Sequence, residues 1–169
     1  KLHSDIQEKL VFFNITEPTP FQTASIPIIK SGTNVYCTAP KDSGKTTTLV
    51  LTTLQKLKCE ASGNAPRAVV LVENKERAME LYELFLAYTK YSSLRVYVGH
   101  EQLHIDIQKS EIFEGTDILI STPKTMNKLF LLNGVSTAQL KIISIDDAKF
   151  LSLNSSYSAL MSISQSIKK

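Results

Sequence analysis

The sequence predicts an α/β domain built on a mainly parallel sheet, and two observations carry that expectation. Five short, β-rich apolar runs recur along the chain, at residues 35–39, 68–72, 94–98, 117–121 and 141–146. Most are continuously apolar rather than alternating, the pattern of strands whose two faces are both covered by helices. Helical patterns fill the intervals, clearest over residues 46–58 and 75–91. Regular alternation of strand and helix implies parallel strands joined by right-handed crossovers.

The elements follow in order. Pro18-Thr19-Pro20 reads as a helix start, with Thr19 capping and Pro20 in the first turn. Gly63-Asn64-Ala65-Pro66 is the plainest loop, closing the first β-α unit before the second strand. The helix over 75–91 puts Ala78, Leu81, Tyr82, Phe85 and Leu86 on one stripe. Residues 157–167 read as an amphipathic helix in a serine-rich tail. No linker is long enough to separate domains, so residues 1–169 are expected to form one domain.

Composition narrows the function classes. With 43% hydrophobic and 21% charged residues, disorder is excluded as a description of the whole chain. Nineteen Lys and Arg against sixteen acidic residues give a net charge of +3, too small to argue for a nucleic-acid partner by itself. Cys37 and Cys59 lack a Cys-x-x-Cys spacing or a histidine cluster, so neither a zinc site nor a disulfide framework is implied. A reducing, cytoplasmic setting is the natural expectation. No apolar run approaches the roughly 18 residues that span a bilayer, so no membrane partner is expected, and the chain is expected to be a monomer.

The strongest chemical signal is Ala39-Pro40-Lys41-Asp42-Ser43-Gly44-Lys45-Thr46, placed after an expected strand and at the start of an expected helix. In such a loop the backbone N–H groups and the helix N-terminus face phosphate oxygens, and the helix dipole favours their charge. Lys41, Asp42, Ser43, Gly44, Lys45, Thr46 and Thr47 are therefore the candidate nucleotide-binding residues. Lys45 would reach the β- and γ-phosphates, and the Thr46 hydroxyl would help to hold Mg²⁺.

A second signal is Ile142-Ile143-Ser144-Ile145-Asp146-Asp147, an apolar strand that ends in two carboxylates. In P-loop nucleotide hydrolases an aspartate at this place holds magnesium through water. Asp146 fits that role, and Asp147 would orient the attacking water.

A third signal is Asn14-Ile15-Thr16-Glu17-Pro18-Thr19-Pro20-Phe21-Gln22, upstream of the phosphate loop. It resembles the Q motif of the DEAD-box RNA helicases, in which a Pro-Thr-Pro-Ile-Gln run sets a glutamine on the adenine edge. Gln22 takes that position, and its amide can donate and accept at once, as adenine requires. Further blocks resemble the family in the same order. Leu71-Val72-Glu73-Asn74-Lys75-Glu76-Arg77-Ala78 stands at the Pro-Thr-Arg-Glu-Leu-Ala block, and Val98-Gly99-His100 at the Gly-Gly pair. Ser121-Thr122-Pro123-Lys124-Thr125 resembles the Thr-Pro-Gly-Arg block, and Asp146-Asp147-Ala148-Lys149 replaces Asp-Glu-Ala-Asp. The resemblance implies a three-layer α/β/α RecA-like fold and ATP with Mg²⁺ as cofactors. It also implies RNA as partner, met by Asn74, Lys75, Gly99, Thr122, Pro123 and Lys124. A second RecA-like domain of the same protein, absent from this sequence, would complete the helicase core.

Several positions depart from the family. Asp42 replaces the first glycine of the phosphate loop, where a carboxylate faces the triphosphate with like charge and a Cβ restricts positive φ. Asp147 is one methylene shorter than the family's glutamate, and displacement of about 1 Å at such a group lowers rate by roughly 100-fold. Lys149 inverts the charge of the last acidic position and is expected to pair with Asp147 or Asp146. Lys75 keeps charge but loses an arginine fork, whereas Thr125 loses the charge altogether. Two readings follow. The first is an ATP-hydrolysing RNA helicase domain whose catalytic residues are Lys45, Asp146 and Asp147. The second is a pseudo-helicase module that binds RNA or a protein without ATP turnover. An unrelated P-loop hydrolase is a third, disfavoured by the Gln22 segment.

Overall fold

The computed structural model describes residues 1–167, and the chain falls into two compact units, Lys1–Cys59 and Glu60–Lys169.

The first unit is helical among its described residues, with α1 (Ser4–Phe12), α2 (Pro20–Lys30) and α3 (Lys45–Lys56). α2 starts where its sequence directs. The Thr19 hydroxyl accepts from the Gln22 N–H, and the Gln22 side chain accepts from the Thr19 N–H at 2.9 Å, with Pro20 at the first helical position. Two otherwise orphaned amides are thereby satisfied. α3 is rich in threonine, a weak helix former because its β-branch loses side-chain freedom. The hydroxyls of Thr52 and Thr53 donate back to the carbonyls of Thr48 and Leu49, both at 2.7 Å, so polar groups can be buried beside Val50, Leu51 and Leu54. α2 packs against α3.

The strand expected at residues 35–39 does not form. Residues 33–40 have no regular secondary structure, and Val35 and Tyr36 are exposed. A strand persists only where a neighbouring ladder takes up its amides and carbonyls, and the pairings of the sheet are all made by the other four runs. The phosphate loop therefore follows an irregular segment, not a strand.

The second unit alternates strand and helix: β1 (Ala68–Leu71), α4 (Lys75–Thr89), β2 (Val96–Gly99), α5 (Ile105–Glu114), β3 (Ile118–Ser121), α6 (Pro123–Leu131) and β4 (Ile142–Ile145). A 3₁₀ turn (Ala148–Ser152) and α7 (Asn154–Ser166) follow. The four strands pair in parallel in the order β2-β3-β1-β4. The central strands β1 and β3 are buried along their whole length, and the outer β2 and β4 only in part, which matches their continuous apolar runs. Val69, Leu71 and Leu119 form a core with Met126 and Leu129 of α6 and Ile163 of α7. No described helix is long and apolar enough to cross a membrane.

The two ends of this sheet are built differently. At the N-terminal end, Asp117 precedes β3 and is fully buried. It accepts from the Arg67 Nη2 at 2.8 Å and the Arg95 Nε at 2.9 Å, and from the backbone N–H groups of Ser62 and Arg95. Burial alone would raise its carboxyl, but those hydrogen bonds outweigh burial and hold it below the usual aspartate value. At the C-terminal end, where ligands bind in open parallel sheets, stand the candidate residues of this unit. Asn74 and Lys75 follow β1, Gly99 ends β2, Thr122, Pro123 and Lys124 follow β3, and Asp146 and Asp147 follow β4.

Candidate functional site

In the first unit the phosphate loop is shaped by two left-handed residues, Asp42 at φ 60° and Gly44 at φ 87°. Aspartate is among the few residues that tolerate this region, so the loop turns despite the missing glycine. Gly44 has a second reason to be glycine, since a Cβ there would lie 2.7 Å from the Gln22 Nε2. Thr19 fastens the loop from the other side, its hydroxyl donating to the Ser43 carbonyl at 2.7 Å. Gln22 is buried and engaged within this framework, accepting from Thr19 and donating to the Gly44 carbonyl at 3.5 Å. The residue expected to read adenine thus also braces the loop.

The start of α3 is chemically open. Gly44 is its N-cap and supplies no side-chain cap, whereas α2, α4 and α6 are capped by Thr19, Asn74 and Thr122. First-turn amides carry the positive end of the helix dipole, and the residues here are Lys45, Thr46 and Thr47. Beside them the Ser43 hydroxyl is buried with no hydrogen-bond partner, an arrangement that natural proteins rarely leave unexplained. The Lys45 ammonium folds back to the Ala39 carbonyl at 2.6 Å and spans the loop. Lys41 and Asp42 are exposed.

In the second unit, Asp146 is buried at the end of β4 and has a partner that the sequence reading missed. Arg77 donates from Nε to one carboxylate oxygen at 2.6 Å and from Nη2 to the other at 3.1 Å. This hydrogen bonding raises the arginine's pKa further above its ordinary value. Lys149, expected to pair here, is exposed and makes no ion pair among the described residues. It lies on the turn after the strand, while Arg77 arrives from the neighbouring strand's helix. Asp147 is exposed and left-handed, at φ 50°. Because Arg77 already compensates both oxygens of Asp146, the residues present do not fit a magnesium ion at that carboxylate unless the guanidinium is displaced. One sequence signal pointed to Arg77. A cation in the first turn of a helix opposes the dipole and calls for an anionic partner, and Arg77 stands where the resembling block has leucine.

The residues expected to meet RNA are also engaged internally. Asn74 caps α4, accepting from the Arg77 N–H at 2.9 Å, and Thr122 caps α6, accepting from the Thr125 N–H at 3.3 Å. The Thr122 hydroxyl donates to the Glu101 carboxylate at 2.8 Å, and Lys75 donates to the Gln102 side chain at 2.7 Å. Buried Gln108 pins the turn that carries both partners, through the His100 N–H and the carbonyls of His100 and Leu103. Gly99 packs where a Cβ would crowd Gln108 and Ser121. Thr125 is buried and Pro123 with it, while Lys124 is exposed.

A parallel α/β sheet and a glycine-capped, lysine-bearing loop at a helix start resemble features of the P-loop class, though the loop lacks the preceding strand of that motif. Comparison with known proteins narrows this. The family model of the DEAD/DEAH box helicases matches residues 19–169, and the chain belongs to that family. It is 30% identical over 148 residues to the ATP-dependent RNA helicase DBP10 of Scheffersomyces stipitis, covering 85% of this chain and 16% of that protein. It is also 30% identical over 138 residues to the ATP-dependent RNA helicase ddx54 of Dictyostelium discoideum, covering 80% of this chain and 12% of that one. The chain thus spans only a small part of these relatives. The fold matches the crystal structure of a DEAD box protein from the hyperthermophile Methanococcus jannaschii with a TM-score of 0.89 and 16% identity, over 99% of this chain and 46% of the other. The RecA-like α/β fold expected from the sequence is the one observed.

Proposed function

We propose that this chain is the nucleotide-binding domain of a DEAD-box RNA helicase core, taking ATP at the loop from Lys41 to Thr47. The observation that carries this reading is the uncapped start of α3 beside the orphaned Ser43 hydroxyl. An anion seated there would meet the positive end of the α3 dipole and the Ser43 hydroxyl together. Lys45 would leave the Ala39 carbonyl for the terminal phosphates, and Gln22 would face the base. RNA backbone is the second ligand, met near Asn74, Lys75, Gly99 and the Thr122-Pro123-Lys124 turn. Unwinding requires the partner RecA-like domain.

Titration with a fluorescent ADP tests the nucleotide site. Lys45→Ala should weaken binding by at least tenfold, about 1.4 kcal/mol, and equal affinity of mutant and parent would overturn the reading. A preference for ADP over GDP that Gln22→Ala erases would support the base assignment.

A second reading is favoured by the Arg77–Asp146 pair and by the shorter Asp147: a module that binds its ligands with little or no ATP turnover. ATP hydrolysis measured with and without RNA, beside Lys45→Ala, separates the two. Turnover stimulated by RNA and abolished in the variant supports the first reading, and turnover equal to the variant's supports the second.

A further inference from the structure

We infer that His3, Asp5 and Cys59 form a site for one zinc-type divalent cation, which joins the two ends of the first unit. The inference is independent of the nucleotide and RNA readings above.

One ligand atom from each of the three side chains lies within 4.8 Å of the other two. An imidazole nitrogen, a carboxylate oxygen and a thiolate together are a donor set for zinc, whereas magnesium and calcium take oxygen. With zinc–sulfur and zinc–nitrogen bonds of about 2.3 and 2.0 Å, tetrahedral ligands stand roughly 3.5 Å apart, so the cluster must close by roughly 1 Å. The side chains of His3 and Asp5 have room to do so, being 34% and 57% exposed. Cys59 is buried and supplies the fixed corner. Water would complete the tetrahedron from the exposed side, as at zinc sites with three protein ligands.

The local structure brings the three together. His3 caps α1, its Nδ1 accepting from the Asp5 N–H at 3.4 Å, so the two side chains share the first turn. The His3 N–H donates to the Gln55 side chain at 2.7 Å, which fastens the start of α1 to the last turn of α3. Cys59 follows α3 in a left-handed turn, with Lys58 at φ 57° and Cys59 at φ 56°, a region that cysteine rarely adopts. Its N–H and its thiol both donate to the Leu54 carbonyl, at 3.1 and 3.7 Å. Zinc would bind the thiolate, the thiol proton leaving to buffer as the zinc–sulfur bond forms. No contiguous spacing announces the set, because its ligands come from opposite ends of the unit.

The test uses the tag-free chain with a phosphine reductant, titrated with cobalt(II) by absorbance and with zinc against a chromophoric chelator. One equivalent of cobalt should raise a near-ultraviolet charge-transfer band from thiolate to metal. The band should persist in Cys37→Ser, where Cys59 is the remaining cysteine, and vanish in Cys59→Ser. His3→Ala and Asp5→Ala should each weaken zinc binding at least tenfold, and millimolar magnesium should displace none of the cobalt. In thermal melts zinc should stabilise the unaltered chain and not Cys59→Ser. Absence of the band in the unaltered chain, its survival in Cys59→Ser, or full zinc affinity in either alanine variant overturns the inference. Should Cys59→Ser fail to fold, Cys37→Ser decides: a band there supports Cys59 as the sulfur ligand, and its loss overturns the assignment.

Discussion

Asp117 and Asp146 sit at opposite ends of the same parallel sheet, and both meet arginine, yet the two sites are finished to different degrees. Asp117 has no exposed surface and accepts from Arg67, Arg95 and two backbone amides. Asp146 retains slight exposure and depends on Arg77, whose side chain is one-third exposed and shared with the exposed Glu80. A buried carboxylate with every lone pair answered rigidifies a fold. One answered by a single, partly solvated side chain can change partners. The first end of the sheet is thus built for stability and the second for exchange, as expected where open parallel sheets bind ligands.

The largest effect that can break this comparison is on stability. Asp117→Ala leaves the buried Arg67 and the part-exposed Arg95 without their carboxylate and should cost about 3 kcal/mol, seen as a large drop in the urea midpoint. The sign of its pH dependence follows from the lowered carboxyl. Asp117 stabilises the fold fully above the ordinary aspartate value of 3.8 and loses that contribution as pH falls below it, through its folded value. Urea melts from neutral pH down to the acid limb should show the parent losing stability below about pH 4, a loss that is smaller in Asp117→Asn. Equal acid limbs would mean that the clamp is not the acid-sensitive element.

Asp146→Ala should be milder. Its arginine reaches solvent and keeps Glu80, so a loss of about 2 kcal/mol, that of a hydrogen bond to a charged group, is expected. A loss as large as that of Asp117→Ala would show that both ends of the sheet are structural.

The smallest effect concerns a third aspartate. Asp42 is exposed and makes no ion pair among the described residues. It holds a left-handed conformation that glycine adopts without strain. Asp42→Gly should tighten nucleotide binding by about tenfold, near 1.4 kcal/mol, by removing a like charge from the phosphate loop. Calorimetric titration checks it, and unchanged or weaker binding would show that the carboxylate points away from the ligand.

What the sequence by itself determined is local. The cap at Thr19 and four of the five strands follow from hydrogen bonds and periodicities that span a few residues, and they fall within a few positions of where the residues direct. The phosphate loop and the acidic strand end were legible for the same reason, each being one contiguous run. Tertiary structure decided the rest. Residues 35–39 carry strand-forming side chains but take no place in the ladder, because pairing requires a neighbour that the segment cannot supply. Gln22 braces Gly44 because two distant turns meet. Arg77 reaches Asp146 across 69 positions only because β1 lies beside β4. Strand order is a global property of the packed chain, so the charge that now sits on Asp146 could be read only once the sheet had formed.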